Sequence, residues 1–250
     1  MTTLTIPDWA HGRPGMGQGG WGCGSFAAAI GEPVTIALRA PMPLETTLEV
    51  IAVEGGWQLV APDGTVVMEA RPALIAAVQT TPVEVAAATA ARNRFDLSPD
   101  AHVARTCFSC GVHDDSMQVW PGSLQDGTGR VATVWWPPAE RADASGIVDE
   151  RVVWTVLDCT SGFYVSEPEP GELRQHSEPE PGGAERRHGV TVQYSVRLFE
   201  PVRANEPYVL VGHQGRFDAG WDGRKRGAGA SMFDADGHLV AYADSFWVEI

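Results

Sequence analysis

The sequence predicts an α+β protein in which one structural unit, a short helix followed by a long antiparallel sheet, occurs twice. Three observations lead to this fold class. A strand, a Pro-containing corner and a second strand recur in both halves, an Asp-Gly hairpin follows in each half, and a candidate helix precedes each set of strands. The 250 residues can bury an ample core without disulfides or metals, as one large domain or as two of about 100–150 residues.

The first half begins with a candidate helix over residues 22–30, which a glycine and then a proline close. Two strands follow, at residues 34–39 and 47–50, and the corner between them contains two prolines. The Asp-Gly pair at residues 63–64 lies between runs of β-forming residues. Because glycine accepts the positive φ that tight turns require, this pair predicts a hairpin.

The second half repeats this order at larger spacing. A candidate helix runs from about residue 150 to residue 161, with apolar residues at i, i+3 and i+4 spacing and Gly162 as its expected end. Strands are predicted at residues 190–197 and 207–210, again joined by a corner with a proline. The second Asp-Gly pair, at residues 236–237, predicts a hairpin that matches the first.

Two further segments set the boundaries of the predicted units. Residues 80–94 are rich in alanine, which favours helix, and we interpret them as a connector between the copies. The units therefore cover residues 1–98, the N-terminal repeat with its connector, and residues 99–250, the C-terminal repeat. Within the second unit, residues from about 166 to 189 are acidic and rich in proline, so they predict a mobile loop.

Composition excludes several classes of partner. The net charge of −14 argues against a nucleic-acid surface, since phosphate binding requires clustered Lys and Arg. No stretch approaches the ~18 apolar residues of a membrane span, and the N-terminus lacks the pattern of a signal peptide. Four cysteines form no disulfide framework and suit a reducing compartment. We therefore expect a cytoplasmic protein that binds neither nucleic acid nor a membrane.

Asp158 is the most informative single residue, because it is a lone carboxylate near the end of an otherwise apolar helix. A helix end that faces a sheet is desolvated, and desolvation raises the pKa of a carboxyl group toward the working range of a general base. Alternatively, Asp158 only accepts hydrogen bonds from the backbone of a nearby loop. The residue pattern leaves both interpretations open.

A short helix with small residues, followed by a long antiparallel meander, resembles the hot-dog fold, in which a sheet wraps around a helix. Two copies in one chain resemble a double hot-dog, in which the two sheets join and the helices lie on the concave side. More specifically, Leu157, Asp158 and the terminal hairpin at residues 233–241 resemble the C-terminal repeat of acyl-CoA thioesterase II. The resemblance implies an acyl thioester hydrolase of the thioesterase superfamily.

The resemblance also implies catalytic residues. In that family a helix Asp acts with a Thr or Ser and a Gln from the strands to position an attacking water, and Asp158 takes the place of this Asp. The position expected for the Gln holds Ser245, and the region expected for the Thr contains His213, Gln214 and Arg216. Ser245 and Gln214 are therefore candidates for holding the water, and His213 and Arg216 for contacting the substrate.

Further candidates for substrate binding lie on and before the helices. Gly20 and Trp21 belong to a Gly-rich stretch, and in hot-dog thioesterases such a stretch lets backbone N–H groups stabilise the oxyanion of the thioester, aided by the helix N-terminus. The alternative is a flexible loop whose glycines serve turns. Trp154, on the same predicted helix as Asp158, is a further candidate for the substrate pocket.

A cluster of basic residues in the second half is a candidate site for the phosphates of coenzyme A. It contains Arg216, Arg224, Lys225 and Arg226. The alternative is a solvated turn at residues 222–227, as is common for charge runs.

Cys107 and Cys110 have the Cys-x-x-Cys spacing that forms half of many zinc sites. The sequence offers no second pair, because Cys23 and Cys159 each stand alone in a predicted helix. A redox role would require a thioredoxin-like context, which the pattern lacks. We therefore expect no metal and no cofactor, and either buried thiols or a tight turn at this pair.

The predicted function is hydrolysis of an acyl thioester carried by coenzyme A or by an acyl carrier protein. Two alternatives remain open. One is a non-catalytic protein that binds acyl-CoA or another acyl ligand in the same groove. The other is a hot-dog hydratase or dehydratase, which would need an Asp and a His close together in a Gly- and Asn-rich loop. Hot-dog proteins commonly join their sheets, so analogy adds the expectation of a homodimer.

Overall fold

Eleven strands form one antiparallel sheet in this computed structural model, which describes residues 2–73, 75–78, 80–98, 104–166, 189–216 and 224–249. In chain order the strands are β1 (Thr2–Thr5), β2 (Val34–Leu38), β3 (Thr47–Val53), β4 (Gly56–Val60), β5 (Val66–Pro72), β6 (Gly122–Ser123), β7 (Val131–Trp135), β8 (Gly189–Leu198), β9 (Tyr208–His213), β10 (Lys225–Phe233) and β11 (Leu239–Glu249). Their spatial order is β1-β3-β4-β5-β2-β8-β11-β10-β9-β7-β6. The first five strands of the chain thus form one half of the sheet, and the last six form the other.

The predicted strands are present. Those at residues 34–39, 47–50, 190–197 and 207–210 correspond to β2, β3, β8 and β9. Both Asp-Gly pairs form hairpins, the first between β4 and β5 and the second between β10 and β11. Gly64 and Gly237 have φ angles of 87° and 84°, a conformation that glycine adopts without the strain imposed by a Cβ.

The described residues contain the helices α1 (Gly19–Ile30), α2 (Val85–Arg92) and α3 (Glu150–Ser166). The first predicted helix is α1, and its end at Gly31, with a φ of 81°, is confirmed. It begins at Gly19 rather than at residue 22, because the Gln18 side chain caps it by accepting a hydrogen bond from the Trp21 N–H at 2.6 Å.

The second predicted helix is α3, and its predicted end at Gly162 is wrong. The helix continues to Ser166. Gly162 lies against the Trp247 ring instead, where a Cβ would be 2.8 Å from a ring carbon. Close packing on the sheet, and not helix termination, therefore explains this glycine.

Helices α1 and α3 pack against each other on one face of the sheet. They cross at Gly20 and Gly24 of α1. A Cβ on Gly20 would lie 2.7 Å from the Trp154 carbonyl oxygen, and a Cβ on Gly24 would lie 3.0 Å from the Trp154 ring. The missing side chains at these two positions allow the close crossing.

Helix α2 falls within the predicted connector at residues 80–94 and lies on the opposite face of the sheet. Ala88 and Ala91 are fully buried against apolar side chains of the second half, namely Ala132, Val134, Val209, Val211 and Phe233. Val131, which directly precedes Ala132 on β7, packs instead with Tyr164 of α3. The alternation along β7 places α2 and α3 on opposite faces.

The two halves of the sheet meet where β2 pairs with β8, at Ile36 opposite Tyr194 and Ala37 opposite Gln193. Ile36 and Tyr194 are fully buried. The Tyr194 hydroxyl donates to the Trp154 carbonyl oxygen of α3 at 2.7 Å. The junction between the halves is therefore tied to the helix that carries Asp158.

The predicted mobile loop, at residues 166–189, falls almost entirely outside the residues that the structure describes. Within the described ranges, no helix has both the length and the hydropathy needed to cross a membrane. All four cysteines are buried thiols.

Candidate active site

A cavity of about 390 Å³ lies beside the junction of β2 and β8, between the N-terminus of α1 and the middle of α3. Its wall carries the apolar side chains of Met16, Leu38, Pro41, Met42, Phe163, Val190, Val192 and Trp247. The Asp158 carboxylate and three cysteines also line it. The cavity therefore combines a large apolar surface with a small polar region.

Asp158 is held at this wall by hydrogen bonds from three residues. Its Oδ2 accepts from Gln18 Nε2 at 2.7 Å and from the Gly20 N–H at 3.1 Å. Its Oδ1 accepts from the Thr191 hydroxyl at 2.7 Å. The residue is 5% exposed. Gln18 and Gly20 come from the first half of the chain and Thr191 from β8, so residues from both halves fix the carboxylate.

The N-terminus of α1 supplies two of these donors because of its local geometry. The Gln18 amide oxygen caps the helix at the Trp21 N–H, which turns the amide nitrogen toward Asp158. Gly20 can approach because it has no side chain, since a Cβ there would lie 2.7 Å from the Asp158 Cβ. The N–H groups of a helix N-terminus also carry partial positive charge, which stabilises a carboxylate.

Burial raises the pKa of Asp158 to about 6, while the hydrogen bonds from Thr191, Gly20 and Gln18 act in the opposite direction. The carboxyl group is therefore mainly ionised at neutral pH and is more basic than an exposed Asp. A carboxylate can accept about four hydrogen bonds. Within the described part of the chain Oδ1 accepts one, from Thr191, so it can accept another from a water in the cavity.

Gly19 places a backbone N–H at the first position of α1, on the cavity wall. The first N–H groups of a helix have no intrahelical acceptor. A Cβ on Gly19 would lie 3.5 Å from Asp158 Oδ2, so this backbone lies next to the carboxylate. An N–H in this place can donate to the carbonyl oxygen of a molecule bound beside Asp158.

Three cysteines form a cluster next to Asp158. The Sγ atoms of Cys107, Cys110 and Cys159 lie within 4.8 Å of one another, and those of Cys107 and Cys159 are 4.0 Å apart. Hydrogen bonds from the Cys110 and Cys159 thiols lower the pKa of Cys107 well below its ordinary value. Cys159 stands alone in its helix, as expected, but the packing of α3 brings it to the Cys-x-x-Cys pair.

Positive charge at the cavity comes from Arg13 and Arg39, which also line it. The Arg13 guanidinium donates to the Gly189 carbonyl oxygen at 3.0 Å, and the guanidinium of Arg39 pairs with Glu69 at 2.7 Å. The sequence analysis did not select either arginine.

Trp21 and Trp154, two predicted substrate contacts, lie near the site but do not belong to the described cavity lining. The Trp21 ring packs on Trp9, with centroids 4.8 Å apart, and the backbone N–H of Trp21 already donates to the Gln18 side chain. The Trp154 ring packs on Tyr194 at 5.5 Å. Both indoles therefore support the helices that carry the site.

Ser245 is buried on β11 and is likewise absent from the described lining. Its hydroxyl donates to the Ala228 carbonyl oxygen at 3.0 Å and accepts from the Trp247 indole N–H at 2.9 Å. Trp247 forms part of the cavity wall. Ser245 is thus connected to the cavity through this indole.

His213 lies on the face of the sheet opposite Asp158. Its ring stacks on Tyr242 with centroids 6.1 Å apart. Tyr242 and Ser245 are separated by an odd number of positions on β11, so their side chains point to opposite faces, and Ser245 lies on the α3 side. Gln214 follows His213 and is exposed. The structure therefore does not bring this pair to Asp158.

The predicted basic cluster makes contacts within the chain. Arg216 pairs with the buried Asp244, with 3.3 Å between Nε and Oδ2. The guanidinium groups of Arg224 and Arg226 donate to backbone carbonyl oxygens. Lys225 is exposed. None of the four belongs to the lining of the described cavity.

Sequence reasoning also missed Gln18 and Thr191, the two side chains that donate to Asp158. Gln is not among the usual N-cap residues, so its position before two glycines gave only a weak signal. Thr191 belongs to a correctly predicted strand, but its contact with Asp158 depends on how β8 passes α3, which local patterns do not encode.

Comparison with known proteins finds partial structural similarities to thioesterase superfamily proteins. No protein-family model matches this chain, and no curated protein matches it. One solved thioesterase superfamily protein is 22% identical, with a TM-score of 0.43, covering 62% of this chain and 65% of that one. The zebra fish thioesterase superfamily member 2 is 15% identical, with a TM-score of 0.40 and coverages of 58% and 91%. A Streptococcus mutans protein bound to acetyl CoA is 17% identical, with a TM-score of 0.35 and coverages of 49% and 82%. At these values the similarities assign no activity to this chain.

Proposed function

We propose that this protein hydrolyses acyl thioesters and that Asp158 positions and activates the attacking water. The observation that carries the proposal is the buried Asp158 carboxylate, held by Gln18, Gly20 and Thr191 at the wall of an apolar cavity. Such a cavity suits a ligand with a long apolar part and one reacting polar group. The resemblance of the C-terminal residues to acyl-CoA thioesterase II agrees with this function.

Asp158 acts as the general base in the proposed reaction. A water that donates a hydrogen bond to Oδ1 is oriented toward the carbonyl carbon of a thioester in the cavity. As the water oxygen attacks, Asp158 takes the proton. When the carbon–sulfur bond breaks, Asp158 returns this proton to the leaving thiolate. The products are a carboxylic acid and a thiol, and the carboxylate is regenerated.

The Gly19 N–H and the positive end of α1 stabilise the oxyanion in this reaction. The sequence placed the oxyanion site at Gly20 and Trp21, but their N–H groups donate to Asp158 and Gln18. Gly19 is the neighbouring position that lines the cavity. The proposed oxyanion donor is therefore the N–H of Gly19 in place of that of Gly20, and the same helix N-terminus supplies the positive charge.

The remaining parts of the substrate follow from the wall of the cavity. The acyl chain contacts the apolar side chains, among them Leu38, Phe163 and Val192. Arg13 and Arg39 offer guanidinium groups to the phosphates of the carrier, which is coenzyme A or an acyl carrier protein. A cytoplasmic location, where both carriers occur, belongs to the same proposal.

A tandem of two hot-dog units, residues 1–98 and 99–250, is also part of the proposal. The strand order β1-β3-β4-β5-β2 of the first half has its counterpart in β7-β9-β10-β11-β8 of the second. Three further features recur at equal separation along the chain. A 3-10 turn covers Asp8–Ala10 in the first half and Ala139–Arg141 in the second. An isolated bridge then joins His11 to Gly17 and Ala142 to Val148, and the helices α1 and α3 follow. Ala27 then stands in α1 where Asp158 stands in α3. The tandem therefore carries one such carboxylate per chain.

Turnover of a panel of acyl thioesters tests the proposed function. Acyl-CoAs of increasing chain length, and the same acyl groups on an acyl carrier protein, are mixed with the purified protein. Loss of the thioester is followed by its ultraviolet absorbance, because the cysteines of the protein would react with thiol reagents. We expect hydrolysis of at least one chain length. Tight binding without turnover would contradict hydrolysis and favour an acyl-binding protein, and absence of any binding would contradict both functions.

A further inference from the structure

We propose that Cys107, Cys110 and Cys159 form a zinc site in the wall of the cavity, with the fourth coordination position open to the cavity. The sequence offered only the Cys-x-x-Cys pair, so no metal was expected. The fold supplies the third thiol by packing α3 against the loop that carries the pair. This site does not rest on the proposed hydrolysis.

The spacing of the sulfur atoms fits tetrahedral zinc. Zn–S bonds of about 2.3 Å place two sulfur ligands about 3.8 Å apart across a tetrahedral angle. The Sγ atoms of Cys107 and Cys159 are 4.0 Å apart, and Cys110 completes a triangle with no side longer than 4.8 Å. Small side-chain movements therefore bring all three sulfurs to bonding distance of one ion.

The loop that holds the Cys-x-x-Cys pair is fixed by contacts on both sides. The Phe108 N–H donates to the His11 carbonyl oxygen at 3.1 Å, and the Met117 N–H donates to the Phe108 carbonyl oxygen at 2.8 Å. The turn after the pair requires Gly111, because a Cβ there would lie 2.4 Å from the Cys107 carbonyl oxygen. Ligands that are ordered before the metal arrives lower the entropy cost of binding.

Backbone and side-chain donors also point at the sulfur atoms. The Ser109 N–H lies 3.4 Å from Cys107 Sγ, and Gln18 Nε2 lies 3.7 Å from Cys159 Sγ. Hydrogen bonds to sulfur stabilise the thiolate, which is the form that binds zinc. Gln18 also donates to Asp158, so one amide would connect the metal site to the carboxylate.

The three sulfur ligands determine which kind of metal ion the site would bind. Three thiolates favour zinc over magnesium or calcium, which prefer oxygen ligands. All three cysteines line the cavity, so a water or a ligand in the cavity can provide the fourth donor. Three protein ligands with one exchangeable position are typical of zinc sites that contact a small molecule.

Metal uptake by the full chain tests the site directly. The protein is purified under reducing conditions, treated with a chelator, and titrated with Zn²⁺ in competition with a chromophoric chelator. We expect one tightly bound Zn²⁺ per chain. Co²⁺ in place of Zn²⁺ should give thiolate-to-cobalt charge-transfer bands and the intense visible bands of tetrahedral coordination.

Two cysteine variants separate the cluster from a general effect of a lost thiol. Cys159→Ser should lose stoichiometric Zn²⁺ binding and the cobalt charge-transfer bands. Cys23→Ser is the matched control, because Cys23 is also a buried helix cysteine but lies outside the cluster. Zn²⁺ should raise the Tm of the unmodified protein and of Cys23→Ser, but not that of Cys159→Ser.

Two outcomes would overturn the zinc site. They are no Zn²⁺ uptake by the reduced protein and equal loss of uptake in both variants. If the first came with a disulfide of Cys107 with Cys110 or Cys159, the cluster would be assigned to redox chemistry. Because the measurement is metal content, its failure would leave the proposed hydrolysis intact.

Discussion

Gln18 connects three parts of the candidate site through a single amide group. Its oxygen accepts the Trp21 N–H at the start of α1, its nitrogen donates to Asp158 Oδ2, and the same nitrogen lies 3.7 Å from Cys159 Sγ. Because a helix N–H fixes the oxygen, the nitrogen must face the carboxylate. The cap of one helix therefore orients the charged residue of another.

His213 gives a prediction for the pH dependence of stability. Burial lowers its pKa from 6.5 to about 4. Between these values the unfolded chain binds a proton that the folded chain does not, so the folded state loses stability as the pH falls from about 6.5 toward 4. We expect this residue to remove about 2–3 kcal/mol of the free energy of unfolding between pH 7 and pH 4.5.

Urea unfolding of the unmodified protein and of His213→Gln at both pH values measures this effect. The unmodified protein should lose more stability on acidification than the variant, by the amount just given. Asp158 titrates in the same range with the opposite sign, because its pKa is raised to about 6, but it is present in both proteins and cancels. Equal losses in the two proteins would show that His213 is not buried in its neutral form.

At the scale of secondary-structure elements, the crossing of α1 and α3 determines the site. Gly20→Ala places a Cβ 2.7 Å from both the Trp154 carbonyl oxygen and the Asp158 Cβ, so the helices must move apart. Overpacking of this kind costs about 1–3 kcal/mol. We expect Gly20→Ala to lower the free energy of unfolding by this amount, as measured in urea.

Gly19→Ala is the matched control for this prediction. Gly19 also lies in the first turn of α1, but a Cβ there would have its nearest contacts at 3.5 and 3.6 Å, which are ordinary distances. The free energy of unfolding of Gly19→Ala should stay within about 1 kcal/mol of that of the unmodified protein, since alanine is a better helix former than glycine. If both variants lost the same stability, the cost would lie in the helix N-terminus and not in the crossing.

Most of these elements were predictable because their signals are local. Asp-Gly pairs, corner prolines and apolar periodicity located β2, β3, β8, β9, the two hairpins and the two long helices. The predicted end of α3 was wrong because glycine has two possible causes, termination and close packing, and the cause at Gly162 is a ring from a distant strand, Trp247. Local patterns do not distinguish these causes.

At the scale of the whole molecule, the candidate site forms where the two halves of the chain meet. Gln18 and Thr191 both bind Asp158, although the first precedes α1 and the second belongs to β8. Their proximity follows from the pairing of β2 with β8 and from the packing of α1 on α3. The sequence identified Asp158 by its helical setting, but its partners depend on contacts between distant segments.

The same reason explains the candidates that lie elsewhere. Ser245, His213, Gln214 and Arg216 were selected by counting positions from the terminal hairpin. Such a count gives the position along a strand but not the face of the sheet, which a bulge or a shift by one residue reverses. In the structure the pairing of β10 with β11 shifts register between Met232 and Phe233, which lies between the hairpin and Ser245. His213 faces away from Asp158, whereas Ser245 lies on the α3 side but outside the described cavity lining.

The central claim is that both halves of the chain build one hydrolytic site around Asp158, and the kinetics of Asp158→Asn test it most directly. The amide has nearly the same shape as the carboxylate but cannot take the proton from water. We expect kcat for the best acyl thioester to fall on the order of 10²–10⁴-fold, while the dissociation constant of that thioester changes little.

Asp244→Asn is the control for this measurement, because Asp244 is also a buried Asp but lies on the opposite face of the sheet and outside the cavity lining. Its kcat should remain close to that of the unmodified protein, provided that both variants are fully folded at the assay temperature. A large loss of kcat in Asp158→Asn alone is the predicted result. Undiminished turnover by Asp158→Asn, or equal losses in both variants, would contradict the account.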